Sequence, residues 1–315
     1  MEQILSVLRA AGEATRLRLL FILSHGELNV TELMHILEQS QPRISRHLKL
    51  MTDAGLLERH KEGSWVVFRR QEEGISGILA RQIASQLDEN DPRLRRDMAR
   101  LREVLRLRAR RAADYFAAVA RDWDTIRSLH VSEAQVEKAM RALAGDGPFR
   151  FFLDVGTGTG RILELFAPLA EHAVGVDSSR EMLTIARARL DKAGLNHAQA
   201  RAADVLDMPL AAGQADFVTM HQVLHYLDEP AAALREIARV MAPGARLLVA
   251  DFAPHELEFL RQEHAHRRLG IARADMRRWI NKAGLDLIEH RYLEPPRHQG
   301  RQGLTVSLWL LRKHP

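Results

Sequence analysis

Residues 151–160 read Phe151-Phe-Leu-Asp154-Val-Gly156-Thr-Gly158-Thr-Gly160, and no other stretch constrains the fold as tightly. An apolar run that reads as a buried strand enters a turn with glycine at every second position, and a helical pattern follows. Glycine lets the backbone turn sharply and approach a ligand closely, so the pattern marks a nucleotide-shaped ligand site in an α/β domain. A second acid, Asp177, closes the next strand pattern, Ala173-Val-Gly-Val-Asp177. The turn begins about halfway along the 315 residues, a length that favours two domains.

From residue 151 onward strand and helix patterns alternate, with strands expected over 151–155, 173–177, about 198–202, 215–220, 245–251, 285–292 and 304–311. That rhythm predicts a seven-stranded, mostly parallel sheet ending in an antiparallel pair. Ahead of it, residues 76–145 read as helices that link the halves and cover a pocket. Ile75, Ile78, Leu79, Ile83 and Leu87 form one amphipathic stripe, and Leu94, Met98, Leu101 and Leu105 form a second. The arginines between Arg93 and Arg111 give a solvated face or, alternatively, a stripe that touches DNA phosphates. Tyr115, Phe116, Trp123 and Asp124 stand just ahead of the sheet, where they suit the cover of a ligand pocket, with core packing as the alternative.

Residues 1–75 look different. Thr15 is the expected cap of a helical run through Leu23, and Leu33, Ile36 and Leu37 mark a second helix. The segment from Gln41 to Met51 puts Ile44, Leu48 and Met51 on one face and basic or polar residues on the other. A helix that enters the major groove needs that division. Gln41, Arg43 and Ser45 are placed for base edges, and Arg46 and Lys49 for phosphates. A hairpin with a basic, glycine-containing tip follows, where Lys61, Ser64 and Arg69 are expected to grip the backbone of double-stranded DNA.

The chain contains no cysteine, which excludes disulfides, thiolate nucleophiles and cysteine metal sites. A net charge of +5 permits a nucleic-acid partner without demanding one. No basic-then-apolar leader and no apolar run near the length of a membrane span is present, so a cytoplasmic protein with no membrane partner is expected.

The acids around the glycine turn narrow the ligand. Asp154 lies just before the turn, where it could reach the amino-acid end of a ligand and would repel a pyrophosphate. Asp177 ends a strand, where a carboxylate can accept both ribose hydroxyls. Ser178 and Glu181 are read as a capping box for the next helix. Asp204 could take an adenine amino group. His221 and His225 stand at the end of the strand expected over 215–220 and are the candidate catalytic residues. His255, His264 and His266, with Glu256 and Glu263, read as a partly exposed helix or as part of the acceptor pocket. The two-residue spacing of His264 and His266 argues against a paired metal site.

Two resemblances follow from these residues. Glu27-Leu-Asn-Val-Thr-Glu-Leu33, Ser40-Gln-Pro-Arg-Ile-Ser-Arg-His-Leu-Lys49 and Glu62-Gly-Ser-Trp-Val66 resemble the ArsR/SmtB winged helix-turn-helix repressors. That family implies operator DNA and a homodimer in which the helix around 75–87 pairs with its mate. Its metal-sensing members carry cysteines before the recognition helix; here Asn29, Thr31 and Met34 stand there, so no metal is expected. The strands, glycine turn and acids from about residue 110 resemble the class I S-adenosylmethionine (SAM)-dependent methyltransferases, most closely the UbiE-like group. This second resemblance implies a Rossmann-like domain over 146–315 in which Gly156, Gly158 and Gly160 line the cofactor. It assigns Asp177 to the ribose, Asp204 and Val205 to the adenine, and His221 to the methionine side. The combined expectation is a regulator whose second domain binds SAM or S-adenosylhomocysteine (SAH), as a sensor and as a small-molecule methyltransferase. The alternative is primarily an enzyme with an accessory DNA-binding domain.

Overall fold

A computed structural model describes residues 1–62, 65–71, 74–120, 133–295 and 303–314. The chain divides into two compact units, Met1–Arg110 and Arg111–Pro315. No helix among the described residues is long and apolar enough to cross a membrane.

The first unit runs α1 (Glu2–Ala11), α2 (Ala14–Ile22), β1 (Leu28–Asn29), α3 (Val30–Leu37), α4 (Gln41–Asp53), β2 (Leu57–Glu62), β3 (Trp65–Arg70) and α5 (Gly74–Ser85). The front of α6 (Pro92–Val119) completes it. The strands form an antiparallel sheet in the order β1-β3-β2. Asn29 and Glu32 close α3 with a reciprocal capping box. The cap of α2 is Glu13, whose carboxylate accepts the Arg16 N–H, and not Thr15. Thr15 is buried, and its hydroxyl accepts a hydrogen bond from Gln39 Nε2 at 3.3 Å.

The apolar stripe of α5 is split: Leu79 and Ile83 pack against the core of the first unit, and Ile75 and Ile78 do not. Its buried side is Ser76, Gly77, Ala80 and Ala84, whereas Ile75 and Ile78 are 51% and 55% exposed. Leu94 and Leu101 of α6 are buried as expected. Between them lies Asp97, fully buried, whose carboxylate accepts two hydrogen bonds from the Arg18 guanidinium at 2.6 and 2.7 Å.

The second unit holds β4 (Phe149–Val155), β5 (Ala170–Asp177), β6 (Ala198–Ala202), β7 (Ala215–His221), β8 (Met241–Phe252), β9 (Leu285–Leu293) and β10 (Val306–Lys313). All seven expected strands are present, in the order β6-β5-β4-β7-β8-β10-β9. The first five in chain order pair in parallel. β10 is antiparallel to both β8 and β9, so the last strand inserts inside the sheet edge. Side chains of β4 alternate between two cores, with Phe152 on one face and Leu153 on the other. After β4 the chain winds one way through β5 and β6, then crosses back to β7. That reversal opens a crevice at the carboxyl ends of β4 and β7, the place where such sheets bind ligands.

Candidate ligand site and nucleic-acid interface

The crevice of the second unit is built outward from Asp154, which is 1% exposed at the end of β4. Its carboxylate accepts the Thr157 hydroxyl at 2.6 Å and the Thr219 hydroxyl at 2.7 Å. Both oxygens are thus engaged in fastening the glycine turn to β7. Asp154 thereby supports the turn.

Gly156, Gly158 and Gly160 all take positive φ, at 70°, 52° and 80°. A Cβ on Gly156 would stand 2.3 Å from Val223 Cγ2, and one on Gly160 would stand 2.9 Å from Ala186 Cβ. The turn therefore excludes side chains for two reasons, conformation and space. Asp177, at the end of β5, accepts the Gly158 N–H at 2.9 Å and the Ser179 N–H at 2.8 Å. Burial raises the pKa of Asp177, and the N–H groups of Ser179, Gly158 and Ser178 oppose the rise. Additional donors, such as two hydroxyls, would favour its ionised form further. The helix Arg180–Lys192 is capped by Ser179, which accepts the Met182 N–H, so the expected cap at Ser178 shifts by one residue. Ser178 itself is exposed beside Asp177.

Asp204 is exposed after β6, and its carboxylate accepts the Leu206 N–H at 2.8 Å, which orders its own turn. Val205 is half-buried against the core that lies under β7 and β8. His221, at the end of β7, is buried. Next to it Gln222 adopts φ 56°, a left-handed conformation rare for a residue with a side chain. Gln222 is 5% exposed, and its Nε2 is buried without a hydrogen-bond partner. Sequence reasoning missed Gln222, because no spacing rule marks a strained residue.

His225 is 1% exposed, and its Nδ1–H donates to Asp251 Oδ1 at 2.7 Å. Asp251, fully buried at the end of β8, also accepts the Phe252 N–H at 2.8 Å. The His225 ring lies 4.0 Å from Tyr226, 4.2 Å from His266 and 5.2 Å from Phe252, centroid to centroid. His266 is buried in this group, whereas His255 and His264 are half-buried and Glu256 and Glu263 are exposed; the helix there spans Phe259–Glu263. The Tyr115 hydroxyl meets His264 Nδ1 at 2.7 Å, and Phe116 meets Tyr226 edge to face at 4.8 Å. Burial pushes the Tyr115 hydroxyl up to about 12. Trp123 and Asp124 lie outside the described residues. Among the described residues, no group of three or more His, Asp or Glu is arranged to hold a metal ion.

In the first unit, α4 buries Ile44, Leu48 and Met51 and exposes Gln41, Arg43, Ser45, Arg46 and Lys49. The apolar face anchors the helix while the basic one meets solvent. Arg69 differs from that set. Its guanidinium donates to Glu58 Oε2 at 2.7 Å and to Glu27 Oε1 at 3.3 Å, and its side chain is 13% exposed. These two carboxylates brace Arg69 within the ribbon. Ser64 and the Lys61 side chain lie outside the described residues.

Residues 13–59 match the bacterial regulatory protein, arsR family, and residues 153–249 match a methyltransferase domain. The arsenic resistance transcriptional regulator ArsR1 of Pseudomonas putida is 39% identical over 99 residues, which are 31% of this chain and 77% of that regulator. The demethylmenaquinone methyltransferase of Thermus thermophilus is 35% identical over 144 residues, 44% of this chain and 64% of that enzyme. This chain thus spans less than two thirds of that methyltransferase. A chain in the solved complex of the Haloferax volcanii Trm112 methyltransferase activator shares the fold with a TM-score of 0.53 at 20% identity. That likeness covers 64% of this chain and 98% of the other.

Proposed function

We propose that this chain, which belongs to the ArsR family of bacterial regulatory proteins and carries a methyltransferase domain behind that module, is a transcriptional regulator whose second unit binds SAM or SAH. It acts in the cytoplasm, binds double-stranded operator DNA through α4, and transfers a methyl group to a small molecule. The observation that carries the reading is the glycine turn with Asp177 behind it. The residues fit such a ligand: the three glycines hold the turn in a conformation closed to side chains, the Asp177 carboxylate suits paired hydroxyls, and Gln222 Nε2, just beyond the end of β7, is buried without a hydrogen-bond partner. Gly156, Gly158, Gly160, Asp177, Ser178, Asp204, Val205 and His221 would hold it. Bound SAM supplies an electrophilic methyl group. The chain's part is to orient the acceptor in line with that methyl and to exclude water.

One feature of the first unit supports a homodimer. Gln3 Nε2 donates to Ser76 Oγ at 3.3 Å, which joins α1 to α5. Around that joint Ile4, Leu5, Leu8, Ile75 and Ile78 are each more than 40% exposed. Exposed apolar side chains on two joined helices suit an association surface, and a second copy presents the matching face.

Calorimetry on the full chain tests the ligand. Binding of both SAM and SAH, lost or strongly weakened in Asp177→Ala, is the expected result. Absence of heat with either ligand overturns the reading. Incubation with methyl-labelled SAM and pooled metabolites tests transfer, and a primarily enzymatic role is favoured if transfer occurs while DNA affinity ignores the ligand.

A further inference from the structure

The pair His225–Asp251 has no part in holding the first unit or the glycine turn, and its geometry is that of an oriented base. With Nδ1–H donated to the carboxylate at 2.7 Å, the neutral imidazole keeps its lone pair on Nε2. Nε2 is buried and has no hydrogen-bond partner. Buried polar atoms are nearly always paired, so an orphan beside a ligand crevice calls for a partner that arrives with the ligand. Asp251 is itself satisfied, since it also accepts the N–H groups of Phe252 at 2.8 Å and His225 at 3.3 Å. The pair is therefore fixed in position, and the imidazole Nε2 is its one polar atom without a partner. The rings packed against this imidazole form flat aromatic walls: Tyr226, Phe252 and His266.

We infer that His225 is the general base of the reaction, Asp251 is its positioning residue, and the methyl acceptor is a flat ring bearing an acidic hydroxyl, a phenol or enol. This rests on the SAM-binding reading above and deepens it. In the step, His225 Nε2 takes the hydroxyl proton as the acceptor oxygen forms its bond to the methyl carbon. The bond from that carbon to the sulfonium sulfur breaks, its electron pair stays on sulfur, and SAH leaves as a neutral thioether. Asp251 remains a carboxylate beside the imidazolium, which returns its proton to water. Flat rings stack on the aromatic walls and bring the hydroxyl to Nε2.

Two measurements on the full chain test this, with catechol and 4-nitrocatechol as the probes. In the first, His225→Gln lowers kcat for catechol by about 10²-fold, the ordinary worth of a general base, with little change in KM. It lowers kcat for 4-nitrocatechol far less, because that acceptor ionises unaided. Asp251→Asn shows the same contrast in weaker form. In the second, no methyl is transferred: the SAH complex is titrated with 4-nitrocatechol and the phenolate absorption is read. The wild-type complex draws the dye into its phenolate form, and the His225→Gln complex leaves it as it is in buffer. Equal losses with the two acceptors, no phenolate shift in the wild type, or no transfer to either catechol by protein that binds SAM, would each overturn the proposal. Calorimetric binding of SAH by every variant separates these outcomes from a failure of the SAM-binding reading, which would show as no SAH binding by the wild type.

Discussion

Gly156 carries a double constraint that a single substitution exposes. At φ 70° any side chain is strained, and its Cβ would stand 2.3 Å from Val223 Cγ2. Gly156→Ala should weaken SAH binding at least about tenfold by calorimetry. Val223→Ala in the same chain should recover part of that loss, because the clash goes while a left-handed cost of about 1–2 kcal/mol stays. Asp177→Asn should also weaken SAH, by about 10- to 100-fold, since a hydrogen bond to a charged group contributes about 1.5–3 kcal/mol. Both sites were legible in the sequence, because a strand, a glycine turn and a strand-ending acid are local patterns. Asp251 was not. It meets His225 across 26 residues of chain, and only the parallel pairing of β7 with β8, His221 beside Ala250, brings them together. Asp154 was legible as a site residue but not as a support, because its partners Thr157 and Thr219 are 3 and 65 residues away.

Helix α4 was read correctly from the sequence, since its apolar residues recur at helical spacing and the opposite face is basic. Replacing Arg43, Arg46 or Lys49 by Ala should weaken operator binding. Removing one side chain that neutralises a phosphate should reduce the slope of log K against log salt by about one. A change in affinity at unchanged slope would mean the residue reads bases instead. His47, half-buried on the same helix, gives α4 a pH dependence. Burial lowers its pKa from 6.5; Glu13 opposes that, while Arg16, Arg43 and Arg46 add to it. The folded chain therefore binds this proton less readily than the unfolded chain. Stability is full above the unfolded value near 6.5 and falls as the pH drops below it. Urea unfolding of the first unit's transition at several pH values should show that loss, and His47→Gln should reduce it. In α5 the sequence was ambiguous for a physical reason. A stripe of Ile and Leu states which residues share a face, but a face covered by the chain's own core and one covered by another molecule share a pattern. The buried face turned out to be Ser76, Gly77, Ala80 and Ala84. The place of β10 was hidden likewise, since strand order within a sheet is not written in any local period.

For the whole molecule, the exposed isoleucines of α5 and the ligand crevice of the second unit bear on one question, how a ligand reaches the operator. Ile78→Asp should shift the chain from dimer to monomer in sedimentation and cost operator affinity, while SAH binding stays intact. A dimer that persists in that variant would move the interface elsewhere. Sensing requires more than binding: a ligand must hold the DNA-competent and DNA-incompetent states with different affinities. The direct measurement is the affinity of the full chain for operator DNA, selected from a random duplex pool, without ligand and with saturating SAM or SAH. The account predicts that at least one ligand changes that affinity by about fivefold or more, a coupling of about 1 kcal/mol. Equal affinity in all three conditions, with calorimetry showing both ligands bound, would contradict it.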